Sequence, residues 1–313
     1  MLKLVARRLA LSAPLVVVVT ALTFVLNNLA PGDLARTILG ADGTEAQYQA
    51  LRGQLGLDRP LAAQYFDWLT HAVHGDLGQS FFTKESVVAL INARIGVTLS
   101  IMLGVLIVCA AAGLALGVAS ALRGGWVGKA IDFLSLIGLI FPSFWVALIL
   151  ISFFAVTLRW LPATGYVPFF DSPTGWAVSL VLPVLAVSLH SIANVAKQTR
   201  DSMADVLGRD FIRALRACGV PERSIIWKHA LRNAALPVVT VLGLVMVGAI
   251  SGTVFVERVF VLPGLGSLAV SAALDKDIAL LQGVTLYFTL LTIGINLAID
   301  ISYGWLNPKV RVS

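Results

Sequence analysis

Residues 197–237, KQTRDSMADVLGRDFIRALRACGVPERSIIWKHALRNAALP, form a polar island between two apolar runs, each long enough to cross a bilayer. The island carries Lys197, Arg200, Arg209, Arg213, Arg216, Arg223, Lys228 and Arg232 against Asp201, Asp205, Asp210 and Glu222. Short loops with such an excess of cations are retained in the cytoplasm, which assigns this one to the inside. From Asp210 to Cys218 there is no helix breaker, Gly219 stands where a helix would end, and Val220-Pro221 follow. Arg213 and Arg216 suit the negative end of that helix. A second helical stretch, from about Glu222 to Ala235, leads into the next span. The island is therefore expected to be two short helices around a glycine turn, a rigid knob lying against the membrane face.

Composition states what carries the knob. Of 313 residues, 58% are apolar and only 13% charged, values of a multi-span membrane protein. The formal charge of +6 could indicate nucleic acid or an anionic membrane surface, but the cations gather in segments assigned to the cytosol, so orientation accounts for most of it and no nucleic-acid partner is expected. Cys109 lies in an apolar run and Cys218 in the basic island, a pair with neither a disulfide nor a zinc signature.

Lys3, Arg7 and Arg8 precede an apolar run from Leu9 to Leu26, which is too long for a signal-peptide core and meets no A-x-A-like site before Pro31-Gly32-Asp33. A retained first span, residues 1–30, with its amino end inside is expected. Residues 31–95 then hold Arg36, Arg52, Arg59, Lys84 and Arg94, outnumbered by seven acids, which places the segment outside. Within it Asp58 is expected to cap a helix continuing through Leu61, Tyr65, Trp68, Leu69 and Ala72. His71 and His74, three apart, have no further ligands nearby, and no metal site is assigned.

Residues 96–313 are expected to form a five-helix core. Its first span, Val97 to Leu122, contains Gly113-x-x-x-Gly117, whose small residues let helix backbones approach. Arg123 to Lys129 is one residue short of a phosphate loop, and Ala130 replaces the required hydroxyl, so the chain has no ATP site of its own. The third span runs from about Ile131 to Leu158, with Asp132 near its inner end and Pro142 bending it. The fourth, about Trp176 to Ala196, carries Pro183, His190 and Asn194; the last two are read as interhelical glue near one end of the span, or as part of a path. The fifth, about Ala234 to Val256, contains Gly248-x-x-x-Gly252 as a second packing site. An exterior loop from Glu257 to Gln282 includes the turn Leu262-Pro263-Gly264-Leu265-Gly266, and the sixth span runs from about Ile278 to Ile299. Fifteen cations fall inside and eight outside, giving an all-α membrane protein of six transmembrane helices with both termini cytoplasmic.

Several segments carry a resemblance in their order and spacing. They are Pro31-Gly32-Asp33, Gly56-Leu57-Asp58-Arg59-Pro60, Gln64-Tyr65, Gly75-Asp76-Leu77-Gly78-Gln79-Ser80 and Asp210 to Gly219; later come His229 to Asn233, Leu236-Pro237, Glu257 to Gly266, Gln282-Gly283 and Asn307 to Arg311. On these, over essentially its whole length, the chain resembles a membrane permease subunit of bacterial ABC importers of the dipeptide/oligopeptide/nickel family, specifically the subunit with the large first external loop. The resemblance implies the type I ABC importer permease fold in the bacterial inner (cytoplasmic) membrane.

It also implies that residues 197–236 are an EAA-type coupling loop whose short helix docks on a cytoplasmic ATPase subunit. Asp210, Phe211, Arg213, Ala214, Arg216, Ala217, Gly219 and Glu222 are the implied coupling residues. The implied partners are a second permease, usually a different chain, two cytoplasmic ATPase subunits that bind the ATP and Mg, and an extracytoplasmic substrate-binding protein. Arg213 stands where the motif's naming glutamate would be, as is usual in the peptide branch, whereas Cys218 replaces a common lysine and Ala214-Leu215 a common Thr-Ala. A non-catalytic subunit for short peptides is implied, with nickel complexes or glutathione as related cargoes. An ion-coupled carrier would need ionisable groups at the midplane of several spans, and Asp132, His190 and Asp300 lie toward the ends. An intramembrane enzyme would need a motif such as H-E-x-x-H or G-x-S-x-G, and neither occurs.

Overall fold

A computed structural model describes residues 2–30, 32–40, 44–123, 125–126, 128, 130, 133 and 141–306. Among these residues the chain is helical and has no strand, only an isolated antiparallel bridge between Gln79 and Ser86. The elements are α1 (Leu2–Leu29), α2 (Leu34–Leu39), α3 (Glu45–Gln54), α4 (Leu61–Val73), α5 (Val87–Arg123) and α6 (Ser143–Leu150), which runs on as a π-helix Ile151–Thr157. After these come α7 (Pro173–Leu207), α8 (Asp210–Ala217), α9 (Glu222–Ser224) with a second π segment Ile225–Ala230, α10 (Leu231–Val259), α11 (Leu265–Asp275) and α12 (Ile278–Leu306).

Among the described residues five helical stretches are long and apolar enough to cross a membrane: Val5–Leu29, Val87–Arg123, Pro173–Leu207, Glu222–Val259 and Ile278–Trp305. Ser143–Thr157 is a shorter apolar helix in the region of the expected third span, and Asp132 lies outside the described residues. Pro142 does not bend a continuous helix. It stands extended at φ −60° and ψ 148° as the residue before α6, because its ring has no N–H to donate and pushes Phe141 out of the helical region.

The helices group into two compact units. One comprises Leu4–Thr98 with Pro263–Ile293, and the other Leu99–Leu262 with the carboxyl-terminal stretch from Gly294. Residues 263–293 thus group with the amino-terminal stretch.

In the first unit, α1 and α4 meet through Tyr65, whose hydroxyl pairs with Thr20 Oγ1 at 2.9 Å and donates to the Val17 carbonyl at 3.0 Å. Gln282 donates to the Thr20 carbonyl at 2.7 Å, so polar groups on apolar helices are satisfied within the unit. Leu77, Val87, Ile91, Leu265, Leu268, Ala272, Leu280 and Val284 form its core. Gly283 permits that packing, since a Cβ there would stand 2.5 Å from Val87. Asp277, only 1% exposed, ties the unit together: its carboxylate accepts from Ser80 Oγ at 2.5 Å, from Phe81 N at 3.1 Å and from Leu280 N at 3.2 Å.

The described residues between 32 and 95 hold more helix than the sequence reading assigned. Thr44 and Gln47 form a reciprocal capping box for α3, and Asp33 caps α2 while accepting the Tyr48 hydroxyl at 2.7 Å. Burial tends to raise the Asp33 pKa, but the bonds from Tyr48 and the Arg36 and Ala35 N–H groups outweigh it and hold the carboxyl below its ordinary value. Asp58 does not cap α4. Pro60 holds that position, and Asp58 instead pairs with Arg52 at 3.0 Å.

In the second unit, α5 approaches α7 at glycines. A Cβ on Gly113 would stand 2.5 Å from Val195, and one on Gly117 would stand 2.6 Å from the Ala196 carbonyl. These two positions require the absence of a side chain. The second pair behaves differently: Gly248 has no described atom within 4 Å of its would-be Cβ, and Gly252 makes only ordinary contact with Val187. Among the described residues that pair marks no close approach, and both glycines line a cavity beside α10.

Candidate coupling segment and cavity

The basic island folds as a helix, a turn and a helix. α8 ends in a Schellman arrangement, with Gly219 N–H donating to the Arg216 carbonyl at 3.0 Å and Val220 N–H to the Leu215 carbonyl at 3.1 Å. Gly219 occupies φ +75°, the left-handed conformation this turn requires. The turn folds Val220 back beside Leu215, and both pack against a cluster of Val118, Met203, Val206, Ile212, Ile225, Ala230 and Ala234.

Ile212, Ile225 and Met203 are fully buried there. At about 2 kcal/mol for each such side chain, this apolar seat outweighs the ion pairs around it, which are all solvent-exposed and contribute little. Those pairs set orientation. Arg216 holds Glu222 through two bonds, at 2.7 and 3.1 Å, linking α8 to α9 across the turn. Arg213 pairs with Asp210 at 3.2 Å and Arg209 with Asp205 at 2.7 Å. The Arg216 guanidinium holds the Glu222 carboxyl below its ordinary value, and Glu222 raises the pKa of Arg216 in turn.

The seated face leaves the opposite face free. Asp210, Phe211, Arg213, Ala214, Arg216, Ala217, Gly219 and Glu222 are all exposed, with Phe211 presenting 39% of its surface. The sequence reading missed the neighbouring Trp227, 58% exposed, which lines a shallow depression with Pro221, Arg223, Ser224 and Lys228. An apolar ring on the polar side of a basic island is the signal that could have found it. The arrangement presents an ordered cationic and aromatic surface suited to a protein partner.

A cavity of about 670 Å³ lies in the same unit. One wall is α7, which offers His190, Ser191, Asn194, Lys197, Gln198 and Asp201 at successive turns. The other is α10, with Val241, Leu244, Val245, Gly248, Ala249 and Gly252 at the same periodicity, and Phe141, Pro142 and Ser143 close one side. Asn194 Nδ2 lies 3.2 Å from His190 Nε2, so the two polar residues of the expected fourth span pair along one helix and face the cavity. Among the described residues no group of three His, Cys, Asp or Glu could hold a metal. His71 and His74 each bond a carbonyl of their own helix, those of Asp67 and Thr70, at 2.8 Å.

Comparison with known proteins places this geometry. Residues 113–312 match the family described as binding-protein-dependent transport system inner membrane component, and residues 1–102 match the N-terminal region of such membrane components. A peptide transport system permease of Brucella abortus is 40% identical over 312 residues, covering 99% of each chain. A peptide ABC transporter permease of Sinorhizobium fredii is 36% identical over 308 residues, with 98% of each chain covered. A glutathione transport system permease of Salmonella choleraesuis is 37% identical over 312 residues, again covering 99% of each. Permease subunits of this kind are non-catalytic, multi-pass components of transport systems. With five apolar helices long enough to span a membrane among its described residues, and matched from end to end, the chain belongs to the family of binding-protein-dependent transport system inner membrane components, as a permease subunit of an ABC importer.

Proposed function

We propose that this chain forms half of the translocation path for short peptides in a bacterial inner membrane. In this reading it crosses the membrane six times with both termini in the cytoplasm. It works beside a second permease chain, two cytoplasmic ATPase subunits that bind ATP and Mg, and an external substrate-binding protein. Residues 31–95 offer the outer docking surface, residues 96–313 form the core, and residues 197–236 couple it to ATP.

The observation that carries the reading is the seated α8. Its apolar face is fixed to the ends of α5, α7 and α10 through the cluster around Ile212, while its charged face is exposed. A force applied to Phe211, Arg213 or Arg216 by closing ATPase subunits is thereby transmitted to the three helices that bear the seat. Such a rigid element can switch a path between two openings. The cavity between α7 and α10 supplies the path's wall, polar on one side for main-chain amides and aliphatic on the other for side chains.

Relatives named for peptide transport support the cargo, and the relative named for glutathione transport, itself a peptide derivative, supports a second one. The test is ATP-driven uptake by the complete importer in proteoliposomes. Labelled di- to pentapeptides should accumulate uncut, and accumulation should stop when the partner ATPase loses its catalytic glutamate. Uptake that continues without hydrolysis, driven by a proton or sodium gradient, would contradict the assignment.

A further inference from the structure

The cavity wall of α7 is electrostatically lopsided. Its lining contains one ammonium, Lys197, and one carboxylate, Asp201. That carboxylate is taken: Arg200 donates to Asp201 Oδ1 from Nε and from Nη2, each at 3.0 Å, and Arg200 also reaches the Gly128 carbonyl at 3.3 Å. Lys197 is exposed to the cavity, and among the described residues nothing bonds its ammonium. Among the described residues, with Asp201 offset by Arg200, the charge left facing the cavity is the Lys197 cation.

We infer that Lys197 is a specificity-determining residue that receives a carboxylate of the cargo, while His190, Asn194 and Gln198 on the same wall bond its amides. This deepens the peptide-permease reading and rests on it. Seven residues of helix separate His190 from Lys197, about 10 Å at 1.5 Å per residue, which is the reach of about three extended residues. A short peptide with its carboxylate at Lys197 therefore brings its preceding amides to Asn194 and His190. The facing aliphatic wall of Val241, Leu244 and Val245 is left for its side chains.

The test uses the complete importer in proteoliposomes, with Lys197→Gln, Lys197→Glu and Lys197→Arg variants checked for assembly by copurification. Three labelled probes are compared: a neutral tripeptide as the free acid, the same tripeptide as its C-terminal amide, and an amidated tripeptide carrying one glutamate. Charge-assisted bonds in partly solvated sites predict a loss of about 5- to 10-fold in the free-acid to amide uptake ratio for Lys197→Gln. The loss should appear in KM, with Lys197→Glu reversing the preference and Lys197→Arg keeping it. A response of the glutamyl amide as well would show that any carboxylate is received, whereas a response of the free acid alone would show that the chain terminus is received. An unchanged ratio in all three variants overturns the inference and leaves Lys197 as a residue that only sets topology. Absence of ATP-driven uptake of every probe by the unaltered importer overturns the peptide reading, and the inference with it.

Discussion

Gly219→Pro tests the coupling turn where its geometry is most demanding. Gly219 sits at φ +75° with nothing within 4 Å of a would-be Cβ, so any cost of substitution is conformational and not steric. Alanine there should cost about 1 kcal/mol for holding a left-handed backbone. Proline does more damage: its φ is fixed near −65°, it removes the N–H that bonds the Arg216 carbonyl at 3.0 Å, and it disfavours the φ −79°, ψ 5° conformation that Cys218 holds as the cap of α8. Adding about 1 to 2 kcal/mol for the lost turn conformation and about 1 kcal/mol for the hydrogen bond gives about 2 to 3 kcal/mol. That is comparable to the burial of one or two apolar side chains in the seat under α8, and it lowers the ratio of seated to unseated segment by about 100-fold. The spans lie outside this turn, so insertion should be intact. The assay is peptide accumulated per ATP hydrolysed by reconstituted importers. Gly219→Pro should hydrolyse ATP with little uptake, Gly219→Ala should fall between, and Gly219→Asn, which tolerates the left-handed region, should stay near the unaltered protein. A wild-type ratio for Gly219→Pro would refute the lever.

Gly117→Val should destabilise the purified complex by about 1 to 3 kcal/mol, read as a lowered Tm, because its Cβ meets the Ala196 carbonyl, whereas Gly248→Ala, with no described atom within 4 Å, should not lower Tm. Asp277→Ala leaves Ser80 Oγ, Phe81 N and Leu280 N without their acceptor, at about 1 to 3 kcal/mol for each group that stays dry, and limited proteolysis should then open residues 78–86 first. The Arg216 and Glu222 pair sets a pH dependence. The folded Glu222 pKa lies below its ordinary 4.5, so the pair's contribution is fully present above 4.5 and is lost as pH falls through the folded value. Hydrogen exchange of α8 amides should thus show no change from this pair above that window and faster opening below it. Glu222→Gln should remove the dependence.

The parts that were legible in the sequence depend on local chemistry. Gly219 before Val-Pro ended a helix as expected, since only a residue free at positive φ closes that turn, and five of the six apolar runs became long helices among the described residues, with wider bounds at their polar ends. Thr44 and Gln47 also carried a local signal, the capping-box spacing, that the sequence reading passed over. Asp58 was misassigned because a competing local pairing, to Arg52, is equally compatible with its position. What could not be read was which helix faces meet. Gly113-x-x-x-Gly117 and Gly248-x-x-x-Gly252 are indistinguishable as strings, yet one is pressed against α7 and the other borders the cavity. The cavity itself arises from two helical stripes, on α7 and α10, whose periodicities are visible separately but whose apposition is a tertiary fact. Lys197, read as one of eight topology-setting cations, gains a second setting only because that apposition places it on the wall.

The central claim is that α8 meets an ATPase on the cytoplasmic side. A photo-crosslinking residue at Phe211, exposed and outside the apolar seat, tests it in the intact importer within sealed vesicles of known orientation. The account predicts a crosslink to a nucleotide-hydrolysing subunit, weakened or shifted when ATP is bound and hydrolysis is blocked. A crosslink to the external binding protein, or to no ATPase under any nucleotide condition, would contradict it.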